Sequence, residues 1–228
     1  LSSKPQRLPW EFESLDNNRV SQIIPELDAL IQVVEQNDWH NDDAFQQSLR
    51  LFDWVKQLPA SLLEIIAVPK TALDALLMSR VDQRPGRHTI HSLLAFAALT
   101  HDVGKAETFQ QLPAGATRCP DHEAAGARLA PAICSRFDFS PIETHLVTNL
   151  VGAHGDPYAL YKQISDLPVP QQQKQIRRFE ANHSNDLQPL LLLACGDLLS
   201  SHLETIRPEK YNGLFDFYRR WLKNVYGE

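Results

Sequence analysis

Leu94-Ala95-Phe96-Ala97-Ala98-Leu99-Thr100-His101-Asp102-Val103-Gly104-Lys105 is the stretch on which the reading of this chain turns. From about residue 88 to 102 the side chains are apolar almost all round a helical wheel, which predicts a helix buried on every side. It closes on an adjacent imidazole and carboxylate, followed by Gly104 and Lys105. A carboxylate near a helix C-terminus faces the negative end of the backbone dipole, so a bound cation is a natural compensation. Without context, a His-Asp pair is more often a solvated helix end, and the surrounding chain has to decide.

Helical spacing continues on both sides, with no convincing strand alternation and no internal repeat. Upstream, residues 1–19 read as a loose lead-in anchored by Trp10 and Phe12, and a first helix is predicted over 19–36. Asp42 or Asp43 can cap a second, in which Phe45, Leu49, Phe52 and Val55 recur at helical spacing. A third covers 70–81 and is stopped by Arg84-Pro85-Gly86. Downstream, a polar loop runs to about Pro120, and Asp121 is expected to cap a helix reaching about Phe137. Ser140-Pro141-Ile142-Glu143 is a capping box with proline at the first helical position. Its helix is predicted to end near His154, with Gly155 as C-terminal cap. The Pro/Gln-rich segment 166–173 reads as a loop, and helices follow over 174–182, 186–203 and 209–226. The last carries a broad stripe of Tyr211, Leu214, Phe215, Tyr218, Trp221, Leu222 and Val225.

The chain has 228 residues, 43% of them hydrophobic, enough for a sizeable core. Its 22 basic and 28 acidic residues give 22 − 28 = −6. That balance argues against a generally basic nucleic-acid surface, and no DNA-binding feature is evident. Cys119, Cys134 and Cys195 form no close pair, so a reducing cytoplasm is the expected compartment. No apolar run is long enough to span a bilayer and no signal peptide is visible, so no membrane partner is expected. The chain starts at Leu1 rather than at a methionine, which suits the back end of a longer protein or a trimmed form.

Further polar residues stand out against the apolar pattern. Asp197 sits in Leu190-Leu191-Leu192-Leu193-Ala194-Cys195-Gly196-Asp197, where a carboxylate is costly to bury unless paired or metal-bound. His122-Glu123 opens a predicted helix and His154 closes another. Each alone reads as an ordinary structural histidine. With His101, Asp102 and Asp197 they form a set of N/O donors on separate helices, the way a helical bundle builds an inward metal site.

These residues resemble the HD metal-dependent phosphohydrolase superfamily: His101-Asp102-Val103-Gly104-Lys105, the later His122-Glu123, His154 closing a helix, and the late Asp197. Pro25-Glu26-Leu27-Asp28-Ala29-Leu30, Trp39-His40-Asn41, Asp43-Ala44-Phe45-Gln46-Gln47 and Asp121-His122-Glu123-Ala124-Ala125-Gly126-Ala127 look like the HD region of bacterial tRNA nucleotidyltransferases and poly(A)-polymerase-like proteins. The similarity covers roughly residues 20–200. It implies an all-α, HD-domain-like helical bundle as a single domain over 1–228. The HD core would take about 40–205, with a lead-in over 1–39 and a C-terminal helix over 206–228. No paired carboxylates follow a Gly-Ser turn, so no nucleotide-adding head is expected.

The resemblance implies metal ligands at an early histidine, the His-Asp pair and the late Asp. The early position here is Gln47, a degenerate ligand position, because a neutral amide is a poor substitute for imidazole toward a transition ion. His40 precedes that helix. His91 lies ten residues before His101, about 15 Å along one helix at ~1.5 Å per residue, too far to share an ion. His122 and His154 are the better substitutes. The expected metal set is therefore His101, Asp102, Asp197, His122 and His154. The ion would be divalent, with Mn, Fe, Mg, Zn, Ni and Co not distinguished.

Two functions follow. In one, the chain is a phosphohydrolase: a metal-bound water attacks a phosphomonoester or phosphodiester, Lys105 neutralises phosphate charge and Asp102 or a nearby histidine relays the proton. Its partners would be a small phosphate ester, a nucleotide or an RNA end, with a homo-oligomer left open. In the other, Gln47 leaves the site unable to hold a catalytic ion, and the fold serves RNA positioning, oligomerisation or regulation.

Overall fold

The computed structural model of the chain describes residues 15–35, 42–58, 69–85 and 87–227. Trp10, Phe12, His40 and Gly86 lie outside them. Among the described residues the regular structure is helical apart from an isolated bridge and one short ribbon, in which Gln110–Gln111 pairs antiparallel with Thr117–Arg118. In chain order the helices are α1 (Val20–Ile23), α2 (Ala44–Lys56), α3 (Lys70–Met78), α4 (Ile90–Thr100), α5 (Lys105–Thr108) and α6 (His122–Cys134). They continue with α7 (Pro141–Ala153), α8 (Asp156–Ile164), α9 (Val169–Asn182), α10 (Leu187–Ser200), α11 (Leu203–Ile206) and α12 (Pro208–Tyr226). No described helix is long and apolar enough to cross a membrane.

Two helices organise the core. Helix α4 is buried along nearly its whole length, as its all-round apolar wheel requires. Helix α10 is the second, with Leu190 to Leu193 and Cys195 all buried. Helices α2 and α7 pack on α4, α6 packs on α7, and α10 touches α2, α4, α7 and α12. Phe96 anchors the underside of α4 edge-on to Phe137 and Phe139, with centroids 5.4 and 4.9 Å away. The three cysteines are free and buried, and burial pushes the Cys195 thiol up to about 12.

The capping box at Ser140 is present in both halves. Glu143 N–H donates to Ser140 Oγ at 3.3 Å, and Ser140 N–H donates to Glu143 Oε2 at 2.7 Å. Glu143 does more than cap. It is fully buried, and its Oε1 accepts the His88 N–H at 2.6 Å, tying the start of α7 to the approach to α4. Burial would raise its carboxyl, but hydrogen bonds from His88 and the Ser140 backbone outweigh it and hold the group below its ordinary 4.5. A depressed carboxylate contributes stability above its unfolded value and loses it as pH falls through the folded one. Glu143→Gln presents an amide N–H to one of these donors. It should cost about 2–3 kcal/mol at pH 7. Thermal unfolding of both proteins should show the gap narrowing as pH falls below about 4.5; a gap independent of pH would contradict the role given to the charge.

Several boundaries differ from the sequence-based expectation. The helix predicted over 19–36 is broken into the turn Asn17–Arg19, α1 and the 3-10 segment Pro25–Leu30, because Pro25 lacks an N–H and its ring clashes with the preceding turn. Asp121 precedes α6, but in the left-handed region (φ 54°) and without a side-chain cap bond. Segment 166–173 is loop only to Pro168. Prolines are tolerated in a first turn and glutamine is a good helix former, so α9 already starts at Val169. Gly155 leads directly into α8. The polar loop after Gly104 contains α5 and the ribbon.

Candidate metal centre

His101 and Asp102 follow the last residue of α4, His122 begins α6, His154 follows α7 and Asp197 lies in α10. The fold brings all five together, with Asp102 as the hub. Its Oδ2 lies 3.2 Å from His101 Nε2 and 3.0 Å from Lys105 Nζ. Its Oδ1 lies 3.3 Å from His122 Nε2 and 3.7 Å from His154 Nε2. Asp197 Oδ1 is 3.8 Å from His101 Nε2. His101, Asp102, His154 and Lys105 are buried, whereas the Asp197 side chain keeps 23% of its surface exposed.

The three rings share one device. His101 Nδ1 meets Ala98 O at 2.9 Å, His122 Nδ1 meets Cys119 O at 3.0 Å, and His154 Nδ1 meets Val151 O at 2.8 Å. A carbonyl only accepts, so each Nδ1 carries a proton, and in its neutral form each ring keeps on Nε2 the lone pair that a metal needs. All three Nε2 atoms face Asp102, and the His122 and His154 Nε2 atoms are 3.3 Å apart. His101, Asp102 and His154 each offer a ligand atom within 4.8 Å of the others, and so do His122, Glu123 and His154. The donor set, neutral imidazoles with carboxylate, suits a divalent first-row ion, so the residues present fit such a group.

Charge follows the same layout. Burial opposes the His101 imidazolium, yet Asp102 and then Asp197 raise it on balance. His122 is raised likewise, against burial, by its bond to Asp102. His154 is pushed down to about 4 by burial and by the charge on His101. Asp102 is held well below the carboxylate range because His101 and Lys105 outweigh its burial. Lys105 is also buried, and Asp102 and Glu35 together keep it protonated. Glu35 closes on the Lys105 ammonium in a direct ion pair.

Gln47 lies at the site, fully buried, but as a donor. Its Nε2 donates to Asp197 Oδ1 at 2.8 Å, and its Oε1 accepts from Arg50 Nη2 at 2.8 Å. Arg50 Nε also donates to Ser200 O at 2.9 Å. The amide oxygen is therefore turned to Arg50, and the amide nitrogen occupies one oxygen of Asp197. His91 is elsewhere, bonded through Nε2 to Val55 O at 2.7 Å, where it ties α4 to α2.

Two glycines permit these approaches. A Cβ on Gly104 would lie 2.1 Å from His122 O and 2.4 Å from Gly126 N, so α5 meets α6 backbone to backbone. A Cβ on Gly196 would lie 2.4 Å from the Trp54 ring, so glycine beside Asp197 lets α10 close on α2.

A cavity of about 180 Å³ opens in front of Asp102, with Glu35, Lys105, Tyr158 and Tyr218 among its walls. Sequence reasoning missed Glu35, Arg50 and both tyrosines. Glu35 is placed by the bridge between Val34 and Asp43, a contact with no local signature. Tyr218 belonged to a stripe that reads as packing alone.

Fold and site together define an all-helical protein with a buried imidazole–carboxylate cluster that could bind a metal ion and faces a small cavity. No protein-family model matches the chain. Over 125 residues it is 27% identical to the bifunctional uridylyltransferase/uridylyl-removing enzyme of Bradyrhizobium diazoefficiens, and the matched stretch is 55% of this chain and 11% of that enzyme.

Proposed function

We propose that the chain is a single HD-type domain that hydrolyses phosphate esters with a divalent metal ion. The observation that carries this is the convergence of three Nε2 atoms on Asp102, each ring aimed by an Nδ1 bond to backbone. The similarity to an enzyme named for uridylyl removal supports it, since detaching a uridylyl group cleaves a phosphate ester. His101, Asp102, His122, His154 and Asp197 would hold the ion. When bound, it would polarise a phosphoryl oxygen and lower the pKa of a water. Asp102 would serve as ligand and hub, and it or a neighbouring histidine would relay the proton. Lys105 is partly neutralised by Asp102 and Glu35, and its ammonium borders the cavity where a phosphate oxygen would sit. The substrate would be a nucleotide, an RNA end or a related phosphate ester, met in the cytoplasm.

A degenerate module with an RNA-positioning, oligomerisation or regulatory role has one observation in its favour: Gln47, backed by Arg50, engages the Asp197 carboxylate. Metal analysis of protein purified without chelator separates the two. The enzyme reading expects a stoichiometric divalent ion and hydrolysis of bis(p-nitrophenyl) phosphate, lost on chelation and restored by the ion. Protein that stays metal-free and inactive after loading with each of Mn, Fe, Mg, Zn, Ni and Co overturns it. Gln47→His should supply an imidazole beside Asp197 and tighten metal binding by about tenfold or more, the effect expected of a ligand-shell change. Unchanged affinity by competitive chelator titration would remove position 47 from the ligand shell.

A further inference from the structure

The cavity in front of Asp102, about 180 Å³, is small beside the ~300–1,000 Å³ of pockets that enclose a drug-sized ligand. It has room for a phosphate and an ion, so the rest of a nucleotide has to leave past the wall. Part of that wall is Tyr158, in the first turn of α8 and half-buried. Two ammonium groups from different helices converge on its ring. Lys162 Nζ, from α8, is 4.6 Å from the centroid, and Lys210 Nζ, from α12, is 5.2 Å away. Lys210 also borders a shallow hollow of about 510 Å³, together with Arg207 and Glu209. Acidic groups dominate inside the cavity, with Glu35, Asp102, Glu123 and Asp197 on its walls. Outside it, the ring of Tyr158 gathers like positive charges by cation–π attraction instead of letting them disperse. An ammonium over an aromatic face also competes with a base for that face, so the arrangement suits an anion better than a stacked base.

Taking the phosphohydrolase reading as premise, we propose that Tyr158, Lys162 and Lys210 form a second subsite that receives a further phosphate group of the substrate. The preferred substrates are then phosphate esters with more than one phosphate, such as oligonucleotides, over monophosphates. The test titrates metal-loaded protein calorimetrically with thymidine 5′-monophosphate and with the 5′-phosphorylated dinucleotide pTpT. The dinucleotide should bind about tenfold or more tighter, as charge-assisted contacts to a second phosphate imply. In Lys162→Ala/Lys210→Ala, with bound metal and melting temperature checked as controls, that preference should collapse by about the same factor. Protein that binds metal and monophosphate but shows no preference, or keeps it in the double variant, overturns the subsite alone. Protein that binds neither metal nor monophosphate overturns the phosphohydrolase reading, and the subsite with it.

Discussion

On the phosphohydrolase reading, Asp102→Asn is expected to abolish metal binding and to lower phosphodiester hydrolysis by at least ~10³-fold, about 4 kcal/mol of transition-state stabilisation. The size follows from the position of the residue. Both oxygens are engaged, Oδ2 by His101 and Lys105, Oδ1 by His122 and His154. The amide has one acceptor oxygen and no charge, so it cannot serve both sides, and its N–H₂ must face either Lys105 or an imidazole. The buried Lys105 also loses a counter-charge and keeps only Glu35. Removing one partner of a buried charge cluster destabilises by about 3–5 kcal/mol, so melting temperature should fall along with metal content. The measurement is metal stoichiometry by mass spectrometry beside activity at saturating ion. A variant that retains a full equivalent of tightly bound metal would place the ion away from Asp102.

Gly104→Ala should be the most damaging single-methyl change in the described chain, at about 4 kcal/mol. The added Cβ meets His122 O at 2.1 Å and Gly126 N at 2.4 Å, and backbone has no rotamer with which to withdraw. Either α6 moves away from α5 or the turn opens, and both displace His122 from Asp102. At ~2–4 °C per kcal/mol for a chain of this size, melting temperature should drop by about 8–16 °C. Gly115→Ala is the control. Its φ of +87° is strained for alanine, but no atom lies within 4 Å of the added carbon. It should cost only about 1–2 kcal/mol. Equal losses at the two positions would show that backbone conformation, not helix approach, governs Gly104.

The parts of the molecule that could be read from sequence are those in which one residue's chemistry decides the outcome. The wheel of α4 has no polar face, so it had to be central. Ser140 and Glu143 specify a helix start by hydrogen bonds three residues apart, and both are made. His101, Asp102, His122 and His154 stand out as polar groups at helix ends, and Asp197 as a carboxylate within an apolar helix. What escaped reading depends on contacts between distant segments. Nothing local shows that Gln47 would turn its nitrogen to Asp197, since that orientation is set by Arg50 and the end of α10. Glu35 reaches Lys105 only because residues 34 and 43 bridge. Tyr158 has no periodic signal separating it from packing, and the start of α9 was hidden by prolines that a first helical turn accommodates.

The Nδ1 bonds of His101, His122 and His154 each end on a carbonyl three residues earlier in the same stretch of chain. Each of these bonds is local to its own stretch of chain. The backbone share of each ring's aim is therefore modular: a substitution at one histidine leaves the Nδ1 anchors of the other two in place. Such a cluster can be edited one residue at a time, so a histidine introduced at position 47 would meet three imidazoles already in place.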